Sequence, residues 1–425
     1  MSTAKIHIIN LIKWIFICII VGILIGSTTS FFLHSLDFVT NWRETHSWII
    51  YSLPIVGFTI GAMYYYFGAE VKKGNNLLLE QHNSPESKVP FKMAPLVYIG
   101  TILTHLSGGS AGREGTAVQM GGAIADQFTG LFKLNDTQRK TILIIGISAG
   151  FAAVFGTPIA GAVFALEIML FKNIRVADIF TSFATAYIAH YTCLAWGIHH
   201  TVYSITSIPN FGLNVIVPIF LSGLIFGTIA LLFTATNGVW AKIFSKIKYE
   251  PLRPFIGGII LIIAILLLGY HNTGAGAFSF INTKFIGLGI PSISDSFVAP
   301  AGQFDFLIKL ILTTFTLSAG FKGGEVTPLF FIGATLGNVL FLFIPLPMAL
   351  LAGMGFVAVF AGATHCAIAS IALGFEMFGM GAGIYVGLAS IVAYFSSGSK
   401  GIYSAQLKEG AKYQFYNYLK RISDL

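Results

Sequence analysis

With 425 residues, 55% of them hydrophobic and only 10% charged, and a mean hydropathy of +0.79, the chain lies far outside soluble composition and reads as an integral membrane protein. A net charge of +8 would suggest a nucleic-acid partner in a soluble chain, but the basic residues gather in short loops and at the C-terminus, so none is expected. Cys18, Cys193 and Cys366 are scattered through apolar runs, so no disulfide framework, metal site or cofactor is indicated.

Residues 9–32 form an apolar run too long for a signal-peptide core and without a small-residue cleavage site, which predicts the first membrane helix. A polar loop over 37–47 follows, and 48–67 leads back to Lys72 and Lys73. These lysines, the basic loop from Lys242 to Arg253 and the basic tail obey the positive-inside pattern, which puts both termini in the cytoplasm. Gly74-Asn75-Asn76-Leu77-Leu78-Leu79 then sets two side-chain amides at the start of an apolar stretch too short to cross, the mark of a broken or re-entrant helix. Short spans over 94–106 and 116–128, a polar turn at 135–140 and a long segment over 141–171, broken at Gly156-Thr157-Pro158, come next. A span over 179–197 runs to His199 and His200, read as solvated interfacial histidines. Beyond them, 215–240 and 256–269 are spans, 271–303 is an external loop with short helical pieces, and 304–317, 329–343, 348–360, 363–378 and 381–393 complete the set.

Charge enters the membrane at Gly108-Gly109-Ser110-Ala111-Gly112-Arg113-Glu114-Gly115-Thr116. Ionisable side chains at that depth are costly, so Arg113 and Glu114 predict a functional site. The glycines let backbone N–H groups approach a ligand, and the helix opened there turns its positive end toward it, which suits an anion. Glu114 at that helix start competes with the anion for the same donors and can act as a gate. A salt bridge to Arg113 is the plain alternative, disfavoured because adjacent helical residues do not face each other.

A second carboxylate enters a helix at Gly323-Gly324-Glu325-Val326-Thr327-Pro328. An offset of 211 lays Glu114 on Glu325 and Thr116 on Thr327, and one of 209 lays Glu167 on Glu376. The chain therefore reads as a duplication, with 1–205 the first transmembrane repeat and 206–425 the second, whose broken helices aim at a shared midplane site. Plainer roles compete: a helix cap for Asn75, a dipole partner for Glu325, a backbone bond for Thr327. Glu167 and Glu376 read as structural or vestibule residues, and His105 and His365 as packing residues. An intramembrane hydrolase built on Ser110 and His105 would lack a third member.

Gly112-Arg113-Glu114-Gly115 resembles the Gly-Arg-Glu-Gly-Pro motif of the CLC anion channels and transporters, Gly323 to Pro328 falls where that family carries Gly-x-Phe-x-Pro, and Tyr403 matches its late anion-coordinating tyrosine. The resemblance covers nearly the whole chain. It implies an all-α integral membrane protein, an inverted-repeat bundle of many tilted and broken helices, in a homodimer with one pore per subunit, embedded in membrane lipid. No soluble domain is expected, since the chain ends soon after Tyr403 and leaves no room for the CBS domains of some members. Glu114 is implied as the external gate and proton carrier, and Tyr403 as a hydroxyl donor to the central anion.

Departures from the family pattern are informative. Gly74-Asn75-Asn76 replaces the serine motif of chloride-preferring members, Thr116 replaces proline, Ile168 stands where chloride exchangers carry their internal proton-transfer glutamate, and Glu325 and Thr327 occupy apolar or small positions. This set resembles the fluoride-exporting CLC-F branch, which implies a non-enzymatic fluoride/proton antiporter of the bacterial plasma (inner) membrane. Asn75, Asn76, Val326 and Tyr403 are then expected to bind the anion, Glu325 and Thr327 to couple it to protons, and Gly112, Arg113, Gly115 and Thr116 to shape the motif backbone. Fluoride is small and strongly hydrated, so a selective site needs close, strong donors; the Asn75 and Asn76 amides, the Thr327 hydroxyl and a protonated Glu325 can supply them. A chloride or broad-halide channel or exchanger of the same fold is the alternative.

Overall fold

Helix starts and stops follow the glycines, prolines and polar caps of the sequence. In the computed structural model the described residues are 3–169, 174–270 and 283–423, so the expected segments at 170–171 and 271–282 lie outside them. The regular elements among them are helices: α1 (Thr3–Thr45), α2 (Leu53–Tyr66), α3 (Asn75–Asn83), α4 (Met93–Leu106), α5 (Glu114–Leu131), α6 (Asp136–Phe155), α7 (Pro158–Ile168) and α8 (Val176–Ala195), then α9 (Leu213–Ser245), α10 (Leu252–Tyr270), α11 (Ile290–Asp295), α12 (Asp305–Ala319), α13 (Val326–Leu340), α14 (Met348–Thr364), α15 (Ala367–Ser396) and α16 (Ala411–Ser423). Among the described residues six helical stretches are long and apolar enough to cross a bilayer, and α4, α7, α13 and α14 are shorter apolar helices.

The polar loop expected over 37–47 is instead the last part of α1, which runs unbroken to Thr45. No glycine or proline interrupts the sequence between Gly26 and His46, and one polar side chain of the end is drawn inside: Arg43 is buried and its Nη1 donates to His105 O at 2.6 Å, while Asp37, Asn41, Glu44 and Thr45 stay exposed. The break at Gly156-Thr157-Pro158 falls where the sequence puts it, with Gly156 left-handed and Pro158 opening α7. The two spans expected over 363–378 and 381–393 are halves of α15, divided at Gly379 (φ 74°).

Four consecutive helices, α4 to α7, have counterparts in α12 to α15. Helices α5 and α13 start 212 residues apart, at Glu114 and Val326, and α7 and α15 start 209 apart, at Pro158 and Ala367. The motif offset is therefore one residue longer than the 211 read from sequence identity. Val326 takes the place of Glu114 as first helical residue, and Glu325 takes that of Arg113.

Small residues let the paired helices touch backbone to backbone. A Cβ on Gly121 would collide with Gly146 O, and one on Gly333 with Gly355 O, so α5 lies against α6 as α13 lies against α14. The two lone carboxylates exchange places across this architecture. Glu167 on α7 accepts Ile368 N–H at 3.0 Å and Ala369 N–H at 2.7 Å at the start of α15; Glu376 on α15 accepts Ile159 N–H at 3.1 Å and Ala160 N–H at 2.8 Å at the start of α7. Each satisfies orphan donors at the other's helix N-terminus.

A buried ion pair fixes the loop between α3 and α4. Asp126 takes Arg139 Nε at 2.8 Å and Nη2 at 2.7 Å, and also accepts Val89 N–H at 2.7 Å, while Arg139 Nη2 reaches Ser87 O at 2.6 Å. This clamp ties the loop after α3 to α5 and α6, and so helps set where α3 presents Asn75.

Candidate functional site

The two glycine-flanked loops meet. Gly112 N–H donates to Gly324 O at 2.6 Å and Gly324 N–H returns to Gly112 O at 2.7 Å, a single antiparallel bridge that sets the N-termini of α5 and α13 side by side. Glu114, fully buried, turns its carboxylate across to α13: it accepts Thr327 N–H at 3.0 Å, the Thr327 hydroxyl, and its neighbour's Arg113 N–H at 3.1 Å. Thr327 thus spends its hydroxyl on Glu114 rather than on its own helix.

Only certain donors of α13 point outward. Pro328 has no N–H and Leu329 N–H returns to Glu325 O at 3.0 Å, so Val326 and Thr327 carry the helix-start amides without an intrahelical partner, and that of Thr327 goes to Glu114. The Val326 side chain itself is buried. On α5, Ala117 N–H is taken by Arg113 O at 3.2 Å, while the amides of Gly115 and Glu114 lie 2.7 Å and 3.2 Å from where a Cβ on Gly324 would stand.

Contrary to the expectation from helix geometry, Arg113 does face Glu114: its Nε lies 3.8 Å from Glu114 Oε1. Arg113 precedes the helix, with φ −119°, so the rule for neighbours inside a helix does not govern it. The pair is loose, because Arg113 Nε makes no hydrogen bond.

Two cavities flank this junction. A cavity of about 150 Å³ is lined by Asn75, Asn76, Lys322, Glu325 and Tyr403, and carries Lys72 and Lys73 at its edge. A smaller one of about 30 Å³ is lined by Arg113, Glu114, Thr327, His200 and Tyr203. A point where Gly115 would carry a Cβ lies 3.2 Å from Asn75 Nδ2 and 3.8 Å from Glu325 Oε2, so a side-chain donor and a carboxyl converge where the glycine leaves space. The structure thus brings Glu114, Glu325, Thr327, Asn75, Val326 and Tyr403 around one junction.

The two asparagines separate. Asn76 Oδ1 accepts Ala405 N–H at 2.9 Å and so fixes the turn that carries Tyr403, whereas the buried Asn75 Oδ1 has no hydrogen-bond partner. Tyr403 is buried with its ring edge-on to Phe164 at 6.4 Å. Thr116 is buried and its hydroxyl shares a hydrogen bond of 2.7 Å with that of Thr101 on α4.

Other expectations change. His200 lines the smaller cavity beside Glu114 with a buried, unpartnered Nε2, so it is no solvated interfacial histidine. His365 bonds Tyr413 through Nδ1 at 2.9 Å, but its Nε2 is buried without a partner, so it is only half satisfied. Both nitrogens of His105 contact carbonyl oxygens, of Thr101 at 2.9 Å and Ala111 at 3.1 Å, and Ser110 is engaged with Thr313 at 2.9 Å, so they form no nucleophile and base pair. Lys322 is the charged cavity residue that sequence reasoning passed over, and Tyr64 and Gln119 line the cavity beside it. The rule that singled out Arg113, a charge at membrane depth, applies equally to Lys322.

Residues 56–398 match the family model described as voltage-gated chloride channel. The chain belongs to the voltage-gated chloride channel (CLC) family. Among relatives of this CLC protein, the chloride/fluoride channel protein of Pseudomonas syringae pv. tomato is 46% identical over 396 residues, which cover 93% of this chain and 86% of the relative. A crystal structure of a CLC-type fluoride/proton antiporter superposes with a TM-score of 0.87 at 34% identity, covering 94% of this chain and 98% of that one. A slow cyanobacterial Cl−/H+ antiporter gives a TM-score of 0.79 at 20% identity, over 92% and 96% of the two chains, a likeness of fold alone. This CLC protein is accordingly a multi-pass membrane ion transporter and not an enzyme.

Proposed function

We propose that this CLC protein is a secondary active antiporter that exports fluoride in exchange for protons. The observation that carries the reading is the Glu114 carboxylate seated on the N–H and hydroxyl of Thr327, with the Asn75 amide and the Glu325 carboxyl close by. An acid side chain there holds the donors that a small hard anion needs. When Glu114 takes up a proton it loses its charge and its hold on those donors, and fluoride can replace it; when fluoride leaves, the carboxylate returns. One set of donors serves two negative groups in turn, which is what links the two flows.

In this reading Asn75 supplies an N–H to fluoride, Val326 and Thr327 supply helix-end donors, and Tyr403, which lines the larger cavity, offers its hydroxyl to the anion. Asn76 acts through the Tyr403 turn, Glu325 couples the anion to the proton, and Gly112, Arg113, Gly115 and Thr116 hold the motif in shape. The basic loops support a cytoplasmic placement of the larger cavity and of both termini in a bacterial plasma membrane. The counterpart helices support two repeats, 1–205 and 206–425, and the family supports a homodimer with a pore in each subunit. Similarity to the CLC-type fluoride/proton antiporter of known structure supports the substrate pair.

Purified protein in liposomes, followed with a fluoride electrode, should drive fluoride uphill on an imposed proton gradient. Passive, proton-independent flux would overturn exchange, and chloride competing equally would favour the broad-halide reading.

A further inference from the structure

The larger cavity contains a charge that the exchange cycle leaves unused. Lys322, on the loop leading into α13, lines it together with Asn75, Glu325 and Tyr403. Its ammonium sits 4.0 Å from the centroid of the Tyr64 ring, and among the described residues it makes neither a hydrogen bond nor an ion pair. Only its backbone N–H is engaged, donating to Thr104 Oγ1 at 3.2 Å. The other cations at this cavity are already matched, Lys72 with Glu250 and Lys73 with Glu80 at 2.7 Å.

The seat is shaped for this side chain. A Cβ on Gly100 of α4 would come within 2.9 Å of Lys322 Cγ, so glycine there makes room for the stem, and Tyr64 on α2 is buried with its ring turned to the ammonium. An aromatic face attracts a cation without consuming its N–H donors, so the ammonium can bind an anion from the cavity as well. Lysine is a compact point charge, well matched to a monatomic anion. A positive charge without an ion-pair partner, held between low-dielectric walls, also raises the local concentration of anions.

We propose that Lys322, seated on Tyr64, is the capture site where fluoride entering the larger cavity is held before it passes to Asn75 and the donors of α13. This rests on the fluoride/proton exchange reading. Lys322 does not line the smaller cavity that holds Glu114, so its charge acts on how readily fluoride is taken up from its own side.

The test compares wild type, Lys322→Met, Lys322→Arg and Tyr64→Leu in liposomes loaded with a range of fluoride concentrations, measuring initial efflux and the ratio of protons to fluoride. Lys322→Met should raise the half-saturating fluoride concentration about tenfold, the size expected of one charge acting through a partly hydrated cavity. Lys322→Arg should recover most of it, Tyr64→Leu should raise it severalfold, and the ratio of protons to fluoride should stay that of wild type. An unchanged half-saturating concentration in Lys322→Met, or a changed ratio, would overturn capture. Should that variant fail to elute as folded protein, Tyr64→Leu decides: unchanged half-saturation there overturns the proposal. A wild type without proton-coupled fluoride movement would sink the exchange reading itself, a result distinct from a coupled wild type matched by Lys322→Met.

Discussion

Replacing Thr327 by valine keeps the branched shape of the side chain and removes one of three donors to the Glu114 carboxylate. The two that remain are Thr327 N–H at 3.0 Å and Arg113 N–H at 3.1 Å. A hydrogen bond to a charged group is worth about 1.5–3 kcal/mol net. Since ~1.4 kcal/mol is a factor of ten in an equilibrium constant, the seated state of Glu114 should weaken by roughly 10- to 100-fold. The carboxylate then vacates the site without first taking a proton, so fluoride should slip through uncoupled. Fluoride and proton fluxes recorded together in liposomes should show fewer protons per fluoride in Thr327→Val, with Thr327→Ser close to wild type. A valine variant that kept the wild-type ratio would refute the idea that this hydroxyl holds the gate.

Asn75→Ser should narrow the preference for fluoride over chloride, read as the ratio of the two fluxes, because serine is too short to put a donor beside Gly115; an unaltered ratio would take Asn75 out of selectivity. Asp126→Leu should cost about 3–5 kcal/mol, visible as an early thermal unfolding in detergent, because Arg139 is left buried without its carboxylate. Gly333→Ala should destabilise by about 1–3 kcal/mol or more, since the added methyl meets Gly355 O in tightly packed backbone, and a wild-type melting temperature would contradict that contact.

Two residues at the junction were legible because charge at membrane depth is rare: Glu114 and Glu325 stand out from their glycines with no knowledge of the fold, whereas Tyr403 and Val326 were pointed to only by the family resemblance. Harder to read was the register between the halves. Identity of residues favours laying Glu114 on Glu325, but the bridge pairs Gly112 with Gly324, and backbone hydrogen bonding rather than residue likeness sets the correspondence. The exchange of Glu167 and Glu376 between helix starts depends on contacts some two hundred residues apart, which no local pattern encodes. The same holds for Asn75 and Asn76, alike in sequence, where only the Tyr403 turn determines which amide is spent. The end of α1 was misread for a simpler reason: polar residues suggested a loop, while the partner that buries Arg43 lies on α4.

Proton movement driven by fluoride tests the central claim most directly. Liposomes loaded with fluoride and carrying wild-type protein should take up protons as fluoride leaves, whereas Glu114→Gln, which cannot alternate between charged and neutral forms, should show none. Proton uptake by Glu114→Gln at the wild-type rate would contradict the account, because the two flows would then be linked by some group other than the carboxylate seated on Thr327.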